Sequence, residues 1–245
     1  MLGQDAPPSA PHFPVNHLAP RGTLRAGDWL RVGLVAGLAG AAVAVVFDLA
    51  VAERVLDRAV DLEGHALAAP EPFSRSGQHG GLVTGELVLG AGVAFLLAGV
   101  ATFLGGRARS AERLWVLMAL AATWSVVVLP AAVYPPLPPG VDTELGIGTR
   151  QALYLAVVAI GLASCVAAVH LWSAAGRLRV PLALAAVLVP AVLAVLLFPD
   201  SHADTADLPA GLLTDFRLVS IAGQLLFWTA IALAGALLLR RQRPD

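Results

Sequence analysis

Long apolar runs separated by short polar breaks set the pattern of this chain. Six of them, residues 30–50, 82–104, 113–133, 151–172, 180–198 and 218–239, are each long enough to cross a hydrocarbon core of roughly 30 Å as a helix, which takes about 20 residues. None shows the polar–apolar alternation of a transmembrane barrel strand. The pattern predicts an all-α fold, a polytopic membrane bundle of about six transmembrane helices. Helical periodicity continues beyond the first run, where Glu53, Asp57, Asp61 and His65 recur every fourth residue and so share a face. Val55, Leu56, Ala59, Val60 and Leu62 give that stretch an apolar side, which predicts an amphipathic outer segment along the membrane surface. Arg54–Asp57 and Arg58–Asp61 are spaced for i,i+3 pairs, so an ion-paired surface helix is the plainest reading of it.

The breaks fix the domain plan. Residues 1–28 are rich in Pro, Ala and His without apolar periodicity, as in a flexible tail; residues 29–240 form one membrane domain, and residues 241–245 a short basic tail. A cleaved signal would need a short basic leader and a shorter apolar core than the first run offers. Within that run Gly33, Gly37 and Ala41 repeat at every fourth position, a small-residue stripe that lets membrane helices approach closely. Composition agrees: hydrophobic residues are 58%, charged residues 13%, and mean hydropathy is +0.76, too apolar for a soluble domain. The single cysteine, Cys165, lies inside the fourth run and has no partner for an intrachain disulfide.

Charge then orients the bundle. All sixteen basic residues are arginine, and only Arg54, Arg58, Arg75, Arg150 and Arg217 fall in the second set of alternate loops. The other eleven share the side of the termini, which the positive-inside rule places in the cytoplasm. Trp29, Trp115 and Trp172 fall at the same boundary, where an aromatic belt is expected. Acids divide the opposite way, with eleven of seventeen in the outer loops. That concentration reads either as ordinary loop solvation or as an electronegative vestibule that concentrates cations.

Candidate chemistry sits on the acidic side. Asp48 lies near the outer end of the first run and Glu86 one turn inside the second; carboxylates at such depth are costly and face a partner or a watery cavity. Imidazole with carboxylate suits divalent transition metals, so Asp61, His65, His79, Glu86 and His202 are the candidate metal ligands, although their spacing matches no diagnostic metal motif. Arg75, Arg150 and Arg217 precede or open inward-running helices, where a cation opposes the macrodipole. Pairing with rim carboxylates such as Asp142, Glu144 and Asp215, a bound anion, or reach to lipid phosphate would each compensate. The inner loops carry no phosphate loop or nucleotide fingerprint, and no nucleic-acid partner is expected. No nucleophile–base pair or zinc motif is present, which predicts that the chain is not an enzyme.

Several of these stretches together resemble the CbtA family of probable cobalt transporter subunits: the Gly-rich first run, Asp57-Arg58-Ala59-Val60-Asp61-Leu62-Glu63, Ser74-Arg75 with Gln78, Tyr134-Pro135-Pro136-Leu137-Pro138-Pro139-Gly140 with Gly146-Ile147-Gly148-Thr149-Arg150, and Phe216-Arg217-Leu218-Val219-Ser220 with Gln224 and Trp228. The Pro-rich loop with its arginine and the Phe-Arg-Leu-x-Ser segment are the more specific pieces. The resemblance runs from about Arg31 to Arg240. It implies a small polytopic protein of the bacterial inner membrane, assigned to cobalt uptake and often found beside a small one-span membrane subunit bearing metal-binding histidines. Cobalt or another divalent metal would be substrate rather than permanent cofactor, admitted through the acidic outer rim, with Arg150 and Arg217 organising that rim. The alternative is a non-transporting membrane scaffold or ligand-binding subunit whose arginines hold a polar ligand or partner.

Overall fold

The computed structural model describes residues 24–58, 74–139, 141, 143–174, 176–200 and 208–242, and of Arg75 the backbone alone. Six helices among them are long and apolar enough to cross a membrane: α1 (Ala26–Arg58), α2 (Arg75–Gly105), α3 (Ala111–Val133), α4 (Ile147–Ala174), α5 (Arg179–Leu197) and α6 (Leu212–Arg241). Each boundary has a local cause. Ser74 and Ser110 cap α2 and α3 by accepting the N–H of Gly77 and Arg113, which would otherwise be unpaired at a helix start. Gly211, at φ 87°, takes the left-handed turn into α6 that only glycine adopts freely.

Helices α1, α2 and α6 run longer than the apolar stretches predict. The 33 residues of α1 span about 50 Å at 1.5 Å per residue, well beyond a core of roughly 30 Å. Continuation of α1 to Arg58 agrees with the helical periodicity beyond the first apolar run. Its Val55, expected at a lipid surface, is instead buried against Leu212 at the start of α6.

Small residues decide which helices touch. Helix α1 packs most extensively on α2 and α6, α3 packs on α6, and α4 pairs with α5. A Cβ on Gly33 would stand 2.8 Å from the carbonyl oxygen of Ala94, one on Gly37 would collide with that of Gly90, and one on Gly90 would lie 2.5 Å from that of Gly37. The predicted stripe is therefore spent within the chain, on α2. Around this seam Trp29, Val32, Ala36, Leu97, Ala101, Trp115, Phe227 and Ile231 form the main core.

Two tryptophans depart from their expected place in a boundary belt. Trp29 and Trp115 are 2% and 0% exposed, because glycines opposite receive their rings: Trp29 lies against Gly105, and Trp115 covers Gly235 while donating its indole N–H to Ile231 O at 3.0 Å. Only Trp172, 51% exposed, faces outward as expected.

Helices α1 and α3 each contain a π turn, Asp48–Ala52 and Thr123–Val128. In α3 the turn precedes Pro130, which has no N–H for the carbonyl four residues back, Val126 O. The Tyr154 hydroxyl of α4 donates to that oxygen at 2.8 Å, one of the ties joining the α4–α5 hairpin to the rest.

Candidate functional site

At the acid-rich end, α1, α2 and α6 diverge around a cavity of about 650 Å³. Its polar lining consists of Asp48, Glu53 and Asp57 from α1, Gln78, His79 and Glu86 from α2, and Ser220 and Gln224 from α6, with Pro139 of the Pro-rich loop at its edge. Glu86 lies eleven residues into α2, roughly 16 Å below the helix start.

The π turn supplies much of this polarity. Along α1 the lining includes Ala44, Asp48, Ala52 and Leu56 in steps of four and, one position on from that file, Glu53 and Asp57. In an uninterrupted α-helix a residue five positions on lies about 140° around the axis, whereas the wider π turn, with hydrogen bonds from i to i+5, brings it towards the same face. Without the turn the file after Asp48 would centre on Ala52 and Leu56; with it Glu53 and Asp57 face the cavity as well.

At the mouth Glu53 Oε1 and His79 Nε2 meet at 2.5 Å, both partly buried. This joins the outer extension of α1 to the first turns of α2. Below them Asp48 begins the π turn, its carboxylate beside Gly223 of α6. Asp48 and Glu86 thus occupy the floor of the cavity and the Glu53–His79 pair its entrance.

Above the cavity the Pro-rich loop is held from several sides. Prolines contribute no N–H, and the stretch after Tyr134 is neither helix nor strand, so its carbonyls need outside donors. Arg150 Nη2 donates to Pro135 O at 3.3 Å, and Arg217 Nε to Pro136 O at 3.4 Å. Tyr134, packed edge-on against Phe198, donates its hydroxyl to Pro199 O at 3.1 Å. Burial, with the Asp200 carboxylate adding to it, pushes the Tyr134 phenol above its usual range, which keeps it protonated as a donor. These carbonyls are the partners that offset two arginines set against the macrodipole. Asp215 receives Arg58 Nη2 at 3.3 Å, tying α1 to α6 beside the mouth, while Glu144 is exposed on the loop.

Of the candidate metal ligands, His79 and Glu86 come together in this cavity. Asp61, His65 and His202 lie outside the described residues, as do Asp142 and the Arg75 side chain. Among the described residues no three His, Cys, Asp or Glu side chains are grouped closely enough to hold a metal ion. The sequence pattern puts Glu53 and Asp57 on a surface ion-pair face and gives Gln224 no role of its own, yet all three line the cavity, as does Asp48, for which a watery surrounding is expected. A signal existed for Gln224, which lies one helical turn from Ser220. None existed for Glu53, since a π turn has no sequence signature here.

A family model described as "Probable cobalt transporter subunit (CbtA)" matches residues 27–240, while comparison with curated proteins and with solved structures finds no match. The matched region contains all the residues that line the cavity and nearly all of the six apolar helices. This multi-pass membrane protein belongs to the CbtA family of probable cobalt transporter subunits.

Proposed function

We propose that the cavity between α1, α2 and α6 is where a divalent cation, cobalt in keeping with the family, enters the bundle. The observation that carries this is the Glu53–His79 pair at the mouth above Asp48 and Glu86 in one cavity. Imidazole and carboxylate are apt ligands for cobalt, nickel or zinc, and carboxylates at this depth call for a cation or water beside them. Cobalt is cargo here, not a resident cofactor. A cavity that offers a pair of ligands and then separated carboxylates suits brief, partly hydrated binding, which a moving ion needs in order to leave again.

The arginine-rich end, with both termini, faces the cytoplasm of a bacterial cell, and the cavity opens outward. The weighting of arginine between alternate loops supports this. As a family described as a subunit implies, the chain works with a partner, for which a small one-span protein with metal-binding histidines is the proposed candidate. Use of Arg150 and Arg217 to hold loop carbonyls favours cation entry over the scaffold alternative, in which arginines hold a polar ligand.

Uptake of radiolabelled cobalt is expected to be higher in cells carrying the protein than in cells without it; equal uptake would overturn the reading. Orientation is checked separately. In a Cys165→Ala background, Leu137→Cys should react with an impermeant thiol reagent from outside the cell, and protection from it would reverse the topology.

A further inference from the structure

The α4–α5 hairpin carries cations with nothing of its own to neutralise them. From residue 145 to residue 199 the sequence contains no Asp or Glu, yet the turn at its arginine-rich end holds Arg177 and Arg179, with His170 and Trp172 just before it. Gly176, at φ 54°, reverses the chain within that turn, so α4 ends and α5 begins side by side. The Arg179 guanidinium lies 5.1 Å above the centre of the Trp172 ring. Arg177, Arg179 and Trp172 are all exposed, and among the described residues neither arginine pairs with a carboxylate. The hairpin is also the part of the bundle least enclosed by protein: only 11% of the α5 span and 17% of the α4 span is buried.

We infer that this turn is a docking site for the headgroup of an anionic phospholipid in the leaflet at the arginine-rich end. A tryptophan at the end of a lipid-facing helix sits at headgroup level, and an arginine stacked on its face is held there with its N–H edge free for a phosphate. Arg177, one helix end away on the same turn, supplies a second positive charge. Phosphate with net negative charge is the one abundant component of that layer that complements two unneutralised guanidinium groups. The zwitterionic headgroup brings its own cation into the site. Each basic residue near an anionic surface contributes enough that two favour the anionic lipid by on the order of tenfold.

Trp172 is the exposed tryptophan, since Trp29, Trp115 and Trp228 are buried and Trp124 is half-buried; subtraction of a Trp172→Phe variant removes what the other four contribute. The full chain is placed in nanodiscs of unlabelled phosphatidylcholine containing a minor fraction of either brominated phosphatidylglycerol or brominated phosphatidylcholine. Quenching is read as the difference from a Trp172→Phe variant. Phosphatidylglycerol is expected to occupy the site about tenfold in preference to phosphatidylcholine, and Arg177→Gln with Arg179→Gln should bring the preference to about one without changing thermal unfolding. Arg107→Gln, at the same end of the bundle in the turn after α2, should leave it intact. Equal quenching by the two lipids in the unaltered protein would overturn the inference. So would a preference that survives the double substitution, or one lost equally with Arg107→Gln.

Discussion

Helices α1, α2 and α6 on one side and the α4–α5 hairpin on the other are all apolar segments of membrane length, yet only the first group gathers carboxylates between its members. The hairpin has no acid anywhere between residues 145 and 199, and most of its surface faces outward. Its cations are left to the bilayer edge. In the first group the glycine seam draws backbones together, the extra length of each helix lets the outer ends separate, and polar side chains that would be costly against lipid share one cavity. The lesson is that tight packing at one level of a membrane bundle can make room for polar chemistry at another.

The largest effect should come from breaking the seam. Gly37→Leu drives a side chain into the Gly90 backbone and is expected to cost about 3 kcal/mol by overpacking, seen as a lower midpoint of thermal unfolding in detergent. Gly92→Leu, where a Cβ meets open space, should stay within about 0.5 kcal/mol. Similar losses for the two would mean that the seam does not organise this side.

Next comes the chemistry of the cavity floor. Asp48→Asn with Glu86→Gln keeps shape and removes charge, and cobalt uptake should fall on the order of tenfold, the equivalent of about 1.4 kcal/mol of cation interaction. Unfolding should be unchanged or slightly improved, since two costly carboxylates are gone. Unaltered uptake would leave the floor without a part in transport.

The contrast with the hairpin is sharpened by Tyr154→Phe, which strands the Val126 carbonyl beside Pro130. An acceptor left unpaired costs about 1–2 kcal/mol, read as loss of stability with cobalt uptake per folded molecule unchanged. If uptake fell instead, the hairpin would belong to the transport path.

How much of this was legible in the sequence depends on the physical scale of the signal. Six spans follow from apolar length alone, and the division of arginines and acids between ends from counting alternate loops. Glu86 and Asp48 stand out because a carboxylate inside an apolar run is expensive, and the structure places both at the cavity. An α-helical period carried past Asp48 puts Glu53 and Asp57 on a surface face, whereas the chain takes a π turn there and changes register. Position near span ends, a one-dimensional signal, puts Trp29 and Trp115 in a belt, whereas the glycines that admit their rings, Gly105 and Gly235, lie far off in sequence. For Arg150 and Arg217 the sequence showed that something must offset the helix dipole, but not that the partners would be carbonyls of a loop lacking N–H groups.

Equilibrium binding of radiolabelled cobalt to the purified protein bears most directly on the claim that the cavity, rather than the acidic loops in general, receives the ion. Saturable binding is predicted for the unaltered chain. It should be lost when Asp48→Asn, Glu53→Gln and Glu86→Gln are combined, and kept when Glu144→Gln removes an exposed loop carboxylate. Binding that persists in the triple variant, or that falls as much with Glu144→Gln, would contradict the account.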